Sequence, residues 1–203
     1  MNKITLFLLL ITSTIAGQQI DITKFSDIKP RSIGPAGMSG RITAIDVVTD
    51  QPNIMYIGAA SGGVWKSVSE GVDWKPVFDK QAVQSIGAIA IQQNNPDVVW
   101  VGTGEGNPRN SVNGGYGIYK SLDGGETWKL MGLEKTRNIH RIVIDKDNPN
   151  TVYVAAIGSS WGEHAERGIY RSTNGGETWK KILFVNNKTG AADLVMDAQN
   201  PNK

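Results

Sequence analysis

A segment that recurs about every fifty residues constrains this chain more than any other feature. Gly63-Val64-Trp65-Lys66-Ser67, Gly117-Ile118-Tyr119-Lys120-Ser121 and Gly168-Ile169-Tyr170-Arg171-Ser172 are three versions of it. Each runs through a turn to a tryptophan, at Trp74, Trp128 and Trp179, intervals of 54 and 51 residues. A repeat of that length is one supersecondary unit, which buries its apolar faces by stacking on its neighbours.

The units also open alike. Ile42-Thr43-Ala44-Ile45, Ile86-Gly87-Ala88-Ile89 and Ile139-His140-Arg141-Ile142 read as buried strands. Proline-centred turns follow at Asp50-Gln51-Pro52-Asn53, Asn95-Pro96-Asp97 and Asn148-Pro149-Asn150, where Pro fixes φ and the Asx side chains bond their own backbone. Then come Met55-Tyr56-Ile57-Gly58, Val99-Trp100-Val101-Gly102 and Val152-Tyr153-Val154-Ala155, rich in aromatic and β-branched residues. Each unit therefore reads strand A, tight turn, strand B, loop, strand C, tight turn, strand D. The expected fold is all-β, a propeller of four-stranded antiparallel blades over residues 41–80, 81–134 and 135–186. A fourth blade starts within 187–203, with Ala191-Ala192-Asp193-Leu194-Val195-Met196-Asp197 as its first strand and Asn200-Pro201-Asn202 as its turn. Three blades fall short of the four to eight typical of a closed ring, so the remaining blades are expected in sequence beyond Lys203.

The N-terminus reads as an export signal. Lys3 precedes the apolar run Ile4 to Ile11, and Thr12-Ser13-Thr14 leads to a cut after Ala16. The run is too short to span a bilayer, so the expectation is a secreted or periplasmic chain with no membrane insertion after cleavage. Residues 17–40 do not repeat; within them Lys29-Pro30-Arg31-Ser32-Ile33-Gly34-Pro35 is a candidate ring-closing outer strand. Lys and Arg total 21 against 19 Asp and Glu, scattered along the chain, which points away from nucleic acid. With no Cys and two His, thiolate sites, disulfides and a His-rich metal centre are excluded. No cofactor is expected: Gly102-Thr103-Gly104-Glu105-Gly106 lacks the helix a phosphate loop needs, and Asp145-Lys146-Asp147-Asn148 lacks the glycine and terminal glutamate of a calcium loop. Asn187-Lys188-Thr189 is a glycosylation acceptor pattern in a host that glycosylates exported proteins.

The C-to-D turns carry the strongest motif. Ser121-Leu122-Asp123-Gly124-Gly125-Glu126-Thr127-Trp128 and Ser172-Thr173-Asn174-Gly175-Gly176-Glu177-Thr178-Trp179 follow the pattern S-x-[DN]-x-G-x-T-W. This resembles the Asp-box, or bacterial neuraminidase repeat, of sialidases, xyloglucanase-type glycoside hydrolases and the sortilin ectodomain. The first unit departs from it, with Ser69 where an acid or amide is expected in Ser67-Val68-Ser69-Glu70-Gly71-Val72-Asp73-Trp74. Physically the box is structural: Asp123 or Asn174 accepts backbone N–H bonds across the turn, Gly125 and Gly176 supply positive φ, and Trp128 and Trp179 wedge between sheets. No catalytic residue is assigned to it.

Because strand direction alternates, the A-to-B and C-to-D turns share one face, and the B-to-C loops share the other. Binding residues ride on loops held by a rigid scaffold. The first B-to-C loop is short, Ala59 to Gly62, whereas the second and third are long and polar. They supply the ligand-binding candidates Glu105, Arg109, Asn110 and Tyr116, then Trp161, Glu163, His164 and Arg167. Trp65, Trp74, Trp100, Trp128 and Trp179 occupy framework positions, which leaves Trp161 without a scaffold role and free to stack on a sugar ring or a partner side chain. Arg41, His140, Arg141 and Asp193 fall near the mouth of the central channel, with His140 read as framework.

Two readings follow from the resemblance. One is a sortilin-like binding scaffold for glycan or peptide ligands. The other is a xyloglucanase-like hydrolase, whose family carries a catalytic Asp just before the paired glycines of Ala59-Ala60-Ser61-Gly62-Gly63. Ala60 stands at that place here, and a glycosidase needs two carboxylates. Glu105, Glu163 and Glu166 are the loop acids that could supply one. Sialidase chemistry is unsupported, since Arg31-Ser32-Ile33-Gly34-Pro35 replaces that family's Arg-Ile-Pro motif.

Overall fold

The computed structural model describes residues 21–25, 40–107 and 109–197. The export signal expected at 1–16 and the ring-closing strand expected within 29–35 lie outside them. Residues 21–25 form one 3-10 turn, Ile22–Phe25, in which Asp21 accepts the Thr23 backbone N–H and hydroxyl.

From residue 40 onward the chain builds three four-stranded antiparallel sheets, each a meander in sequence order. The first contains β1 (Ile42–Val47), β2 (Met55–Ala59), β3 (Val64–Ser67) and β4 (Lys75–Pro76). The second contains β5 (Ile86–Ile91), β6 (Val99–Thr103), β7 (Ile118–Ser121) and β8 (Lys129–Leu130). The third contains β9 (Ile139–Ile144), β10 (Val152–Ala156), β11 (Gly168–Ser172) and β12 (Lys180–Leu183). No α-helix occurs among the described residues. The first strands lie side by side, β1 against β5 and β5 against β9, as the innermost strands of propeller blades do.

Stacking explains the apolar runs. Every residue of β5 and β6 is buried because the middle sheet is covered on both faces. Tyr56, Val64, Phe78, Ile86, Val99, Val101 and Tyr119 fill the first seam, and Trp100, Ile118, Ile139, Ile142, Val152, Val154 and Tyr170 the second. Glycine in strand B makes the fit: a Cβ on Gly58 would stand 2.4 Å from Ile86 Cγ2, and one on Gly102 the same distance from Ile139 Cγ2. In the register of the repeat, Ala155 stands at the glycine's place in the third unit and Ala191 at the isoleucine's. Residues 191–197 are tied to this sheet by the Ala191 N–H on Ala156 O and the Arg141–Asp193 ion pair. They form no strand of their own, since a first strand is paired by its second.

The serine-to-tryptophan corners fasten one rim. Ser121 Oγ accepts the N–H groups of Asp123 and Gly125, and Asp123 Oδ1 accepts the Thr127 N–H. Asn174 does the same work through its amide oxygen. In the first corner the Ser69 hydroxyl replaces the acid and accepts the Asp73 N–H at 2.8 Å, so the departure in sequence leaves the turn intact. Each later corner also grips the blade before it. Trp128 Nε1 donates to Val77 O and Trp179 Nε1 to Met131 O, both at 2.7 Å, while Lys66 and Tyr56 donate to Gly124 O.

Candidate functional site

With that rim committed to the scaffold, the B-to-C loops and D-to-A connections form the opposite one. The β2–β3 loop is closed tightly by the Ala59 N–H on Gly63 O, with Ala60 buried beneath it and bonded to Arg41 O. The β6–β7 loop, 104–117, is bonded to its own blade and, through Gly115, to the segment that leads into the next. Gly104 N–H donates to Ser85 O and Gly115 N–H to Arg137 O, and the Tyr116 N–H donates to Thr103 Oγ1. Asn113 reaches Ser61 of the first loop at 2.8 Å.

The sequence candidates separate into two sets. Glu105 and Arg167 are spent on the scaffold. Glu105 has no exposed side-chain surface, and both of its oxygens accept from Arg41, Nε to Oε1 at 2.9 Å and Nη2 to Oε2. Arg167 is buried, and its guanidinium donates to the carbonyls of Asn187, Ile157, Ser159 and Gly162, closing the β10–β11 loop. The second set faces outward: Arg109, Asn110 and Glu163 are exposed, as are Tyr116 at 47% and Trp161 at 65%. Trp161 thus stands out from a loop that Arg167 has made rigid. Glu163 pairs with Lys188 at 3.3 Å across the surface.

His140 occupies the bulge of β9, half-buried with Nδ1 lacking a hydrogen-bond partner among the described residues, and burial with the Arg141 charge holds it below the ordinary imidazole range. His164 is lowered likewise, by burial and then by Arg167. Glu166 is held below the usual carboxylate range, first by the Tyr170 hydroxyl and further by Lys181. A general acid for glycoside hydrolysis needs the opposite, a carboxyl raised by burial or by a second carboxylate. Arg141 pairs with Asp193 at 2.7 Å. A recess of about 70 Å³ between Thr43–Ile45, Gly87–Ile89 and His140–Arg141 opens beside them. Among the described residues no three His, Asp or Glu side chains cluster to hold a metal.

Sequence reasoning missed Arg137, Asn138 and Ser160. Arg137 has φ 61° and ψ −60°, and Asn138 Nδ2 donates to Ser160 Oγ at 3.3 Å and to Glu105 O. No sequence signal marks Arg137, because its positive φ is carried without a glycine.

No protein-family profile matches the chain. It is 24% identical to a xyloglucanase of Acetivibrio thermocellus over 73% of its own length, and spans about a quarter (26%) of that relative. A xyloglucanase of a Paenibacillus species is also 24% identical over 73% of this chain and 15% of its own. Among solved structures, an ancestral GH74 enzyme superposes with a TM-score of 0.64 at 23% identity, covering 81% of this chain and 21% of that one. YCF48 bound to D1 peptide superposes with a TM-score of 0.52 at 13% identity, over 74% of this chain and 43% of that one. These likenesses establish the β-propeller fold.

Proposed function

We propose that this chain contributes a glycan-binding face to an exported propeller of xyloglucanase-like architecture. The observation that carries the reading is Trp161, a largely exposed indole on a loop clamped by four Arg167 hydrogen bonds. An indole presented without flexibility stacks on a sugar ring at little entropic cost. Tyr116 on the neighbouring loop supplies a second ring face. The similarity to xyloglucanases supports a polysaccharide as the ligand.

Hydrolysis is the second reading, favoured by the same relatives. Against it stand two of the loop acids, since Glu105 is locked to Arg41 and Glu166 is held by Tyr170 and Lys181, which leaves the exposed Glu163, paired with Lys188 across the surface, as the acid to test. Calorimetric titration with xyloglucan oligosaccharides tests the binding reading. Affinity should fall at least about tenfold in Trp161→Ala, consistent with the loss of one aromatic anchor. No binding by the wild-type chain, or equal affinity in the variant, overturns it. Turnover that disappears in Glu163→Gln would establish the hydrolase instead.

A further inference from the structure

Arg137 and Asn138 tie together the bases of the two exposed aromatics. Arg137 O accepts the N–H of Gly115, the residue before Tyr116, at 2.6 Å, and Asn138 Nδ2 donates to the hydroxyl of Ser160, the residue before Trp161. The backbone between them is strained. Asn138 N–H bonds to Thr136 O across Arg137, a γ-turn with positive φ that L residues rarely adopt. The β6–β7 loop and the Arg137 segment also meet too closely for side chains: a Cβ on Gly104 would lie 1.9 Å from Arg137 O. An arginine is kept where glycine would sit without strain, and its guanidinium lies over the β6–β7 loop, where a Cβ on Gly114 would stand 2.9 Å from Nη2.

The charge balance of this rim adds the second half. Four of its acids are matched, Glu105 by Arg41, Asp193 by Arg141, Glu163 by Lys188 and Glu166 by Lys181, while Glu134 and Asp79 in the D-to-A connections have no ion-pair partner among the described residues. Arg137 and Arg109 have no ion-pair partner among the described residues, and Glu134, three residues before Arg137, makes none with it. Burial and then Arg167 disfavour protonation of His164 on the Trp161 loop, and Arg137 and Lys181 add to this against the opposing charge of Glu166. The seam therefore presents an exposed arginine without an ion-pair partner beside the bases of the two aromatics.

We propose that this seam binds an acidic sugar, with the Arg137 guanidinium pairing with the carboxylate of a uronic acid residue while Tyr116 and Trp161 flank the ring. The planar fork of arginine matches a carboxylate through two parallel hydrogen bonds, which a lysine cannot reproduce. This rests on the glycan-binding reading and narrows its ligand class.

The experiment is calorimetric titration of the intact chain with an oligogalacturonate, a neutral xyloglucan oligosaccharide and a glutamate-rich peptide, at low and high salt. The variants are Arg137→Gly, whose backbone accepts the observed φ, and Arg137→Lys. The acidic oligomer should bind at least about tenfold more tightly than the neutral one at low salt, with the preference shrinking as salt rises. Arg137→Gly should bring the acidic-to-neutral ratio close to one, and Arg137→Lys should restore only part of it. A neutral ligand that binds as well as the acidic one, or a ratio unchanged in Arg137→Gly, overturns this inference and leaves glycan binding standing. Preference for the peptide overturns the inference in favour of a protein ligand. If neither glycan binds, the glycan reading fails together with it.

Discussion

Replacing Arg41 by Met would leave the Glu105 carboxylate fully buried without its only ion-pair partner among the described residues. Removing one member of a buried pair costs about 3–5 kcal/mol, because a desolvated charge is left uncompensated. Arg41 itself is 32% exposed, so solvent already screens part of this pair, and about 2–3 kcal/mol is the reasonable figure. With a urea m-value of about 2 kcal/mol/M, the unfolding midpoint should fall by about 1–1.5 M. The double variant Arg41→Met/Glu105→Met removes both charges and should recover most of the loss, since apolar side chains of similar volume often replace a buried pair at no net cost. Equilibrium urea unfolding followed by tryptophan fluorescence gives all four corners of the cycle. A midpoint shift below about 0.3 M in Arg41→Met, or a double variant as damaged as the sum of the singles, would refute the reasoning.

Three further outcomes follow from single residues. Asp123 is held at about 2, mainly by the Thr127 hydroxyl and N–H and then by Ser121, from an ordinary value of 3.8. A depressed carboxylate stabilises the fold above its unfolded value and loses that contribution as pH falls. The thermal midpoint should therefore drop between pH 4 and 2, and Asp123→Asn, which copies the corner built by Asn174, should flatten that part of the profile. Gly176→Ala should cost about 2–4 kcal/mol in urea unfolding, because the new Cβ would lie 2.5 Å from the buried Trp100 ring at a φ of 95°; wild-type stability would mean that the corner is not packed against Trp100. Arg137→Gly should stabilise the fold by about 1 kcal/mol through relief of the positive-φ strain, and a loss of stability would show that the side chain supports the loop.

The scaffold was legible in the sequence because its determinants are local. The Pro-Asn and Ser-to-Trp turns are set by residues within eight positions of one another, and the alternation between them places every strand. Ser69 was harder to interpret, since a hydroxyl does there what a carboxylate does at Asp123, and only the acceptor's position reveals the equivalence. The candidate site was legible in part. Trp161 stood out by having no framework role, but Glu105 and Arg167 looked like free loop charges. Their partners lie elsewhere in the chain, 64 residues away for Arg41 and at backbone carbonyls for Arg167, and burial rather than spacing selects them. Arg137 was silent because its conformation, not its residue type, sets it apart.

Indole N–H resonances of the intact chain, followed in two-dimensional NMR during titration with xyloglucan and oligogalacturonate, test most directly that the loop rim binds sugar. Trp161 alone among the six tryptophans should shift, while Trp128 and Trp179, whose indole N–H groups donate to Val77 and Met131, should stay fixed. A stationary Trp161, or shifts at Trp74, Trp128 and Trp179 on the corner rim, would contradict the account.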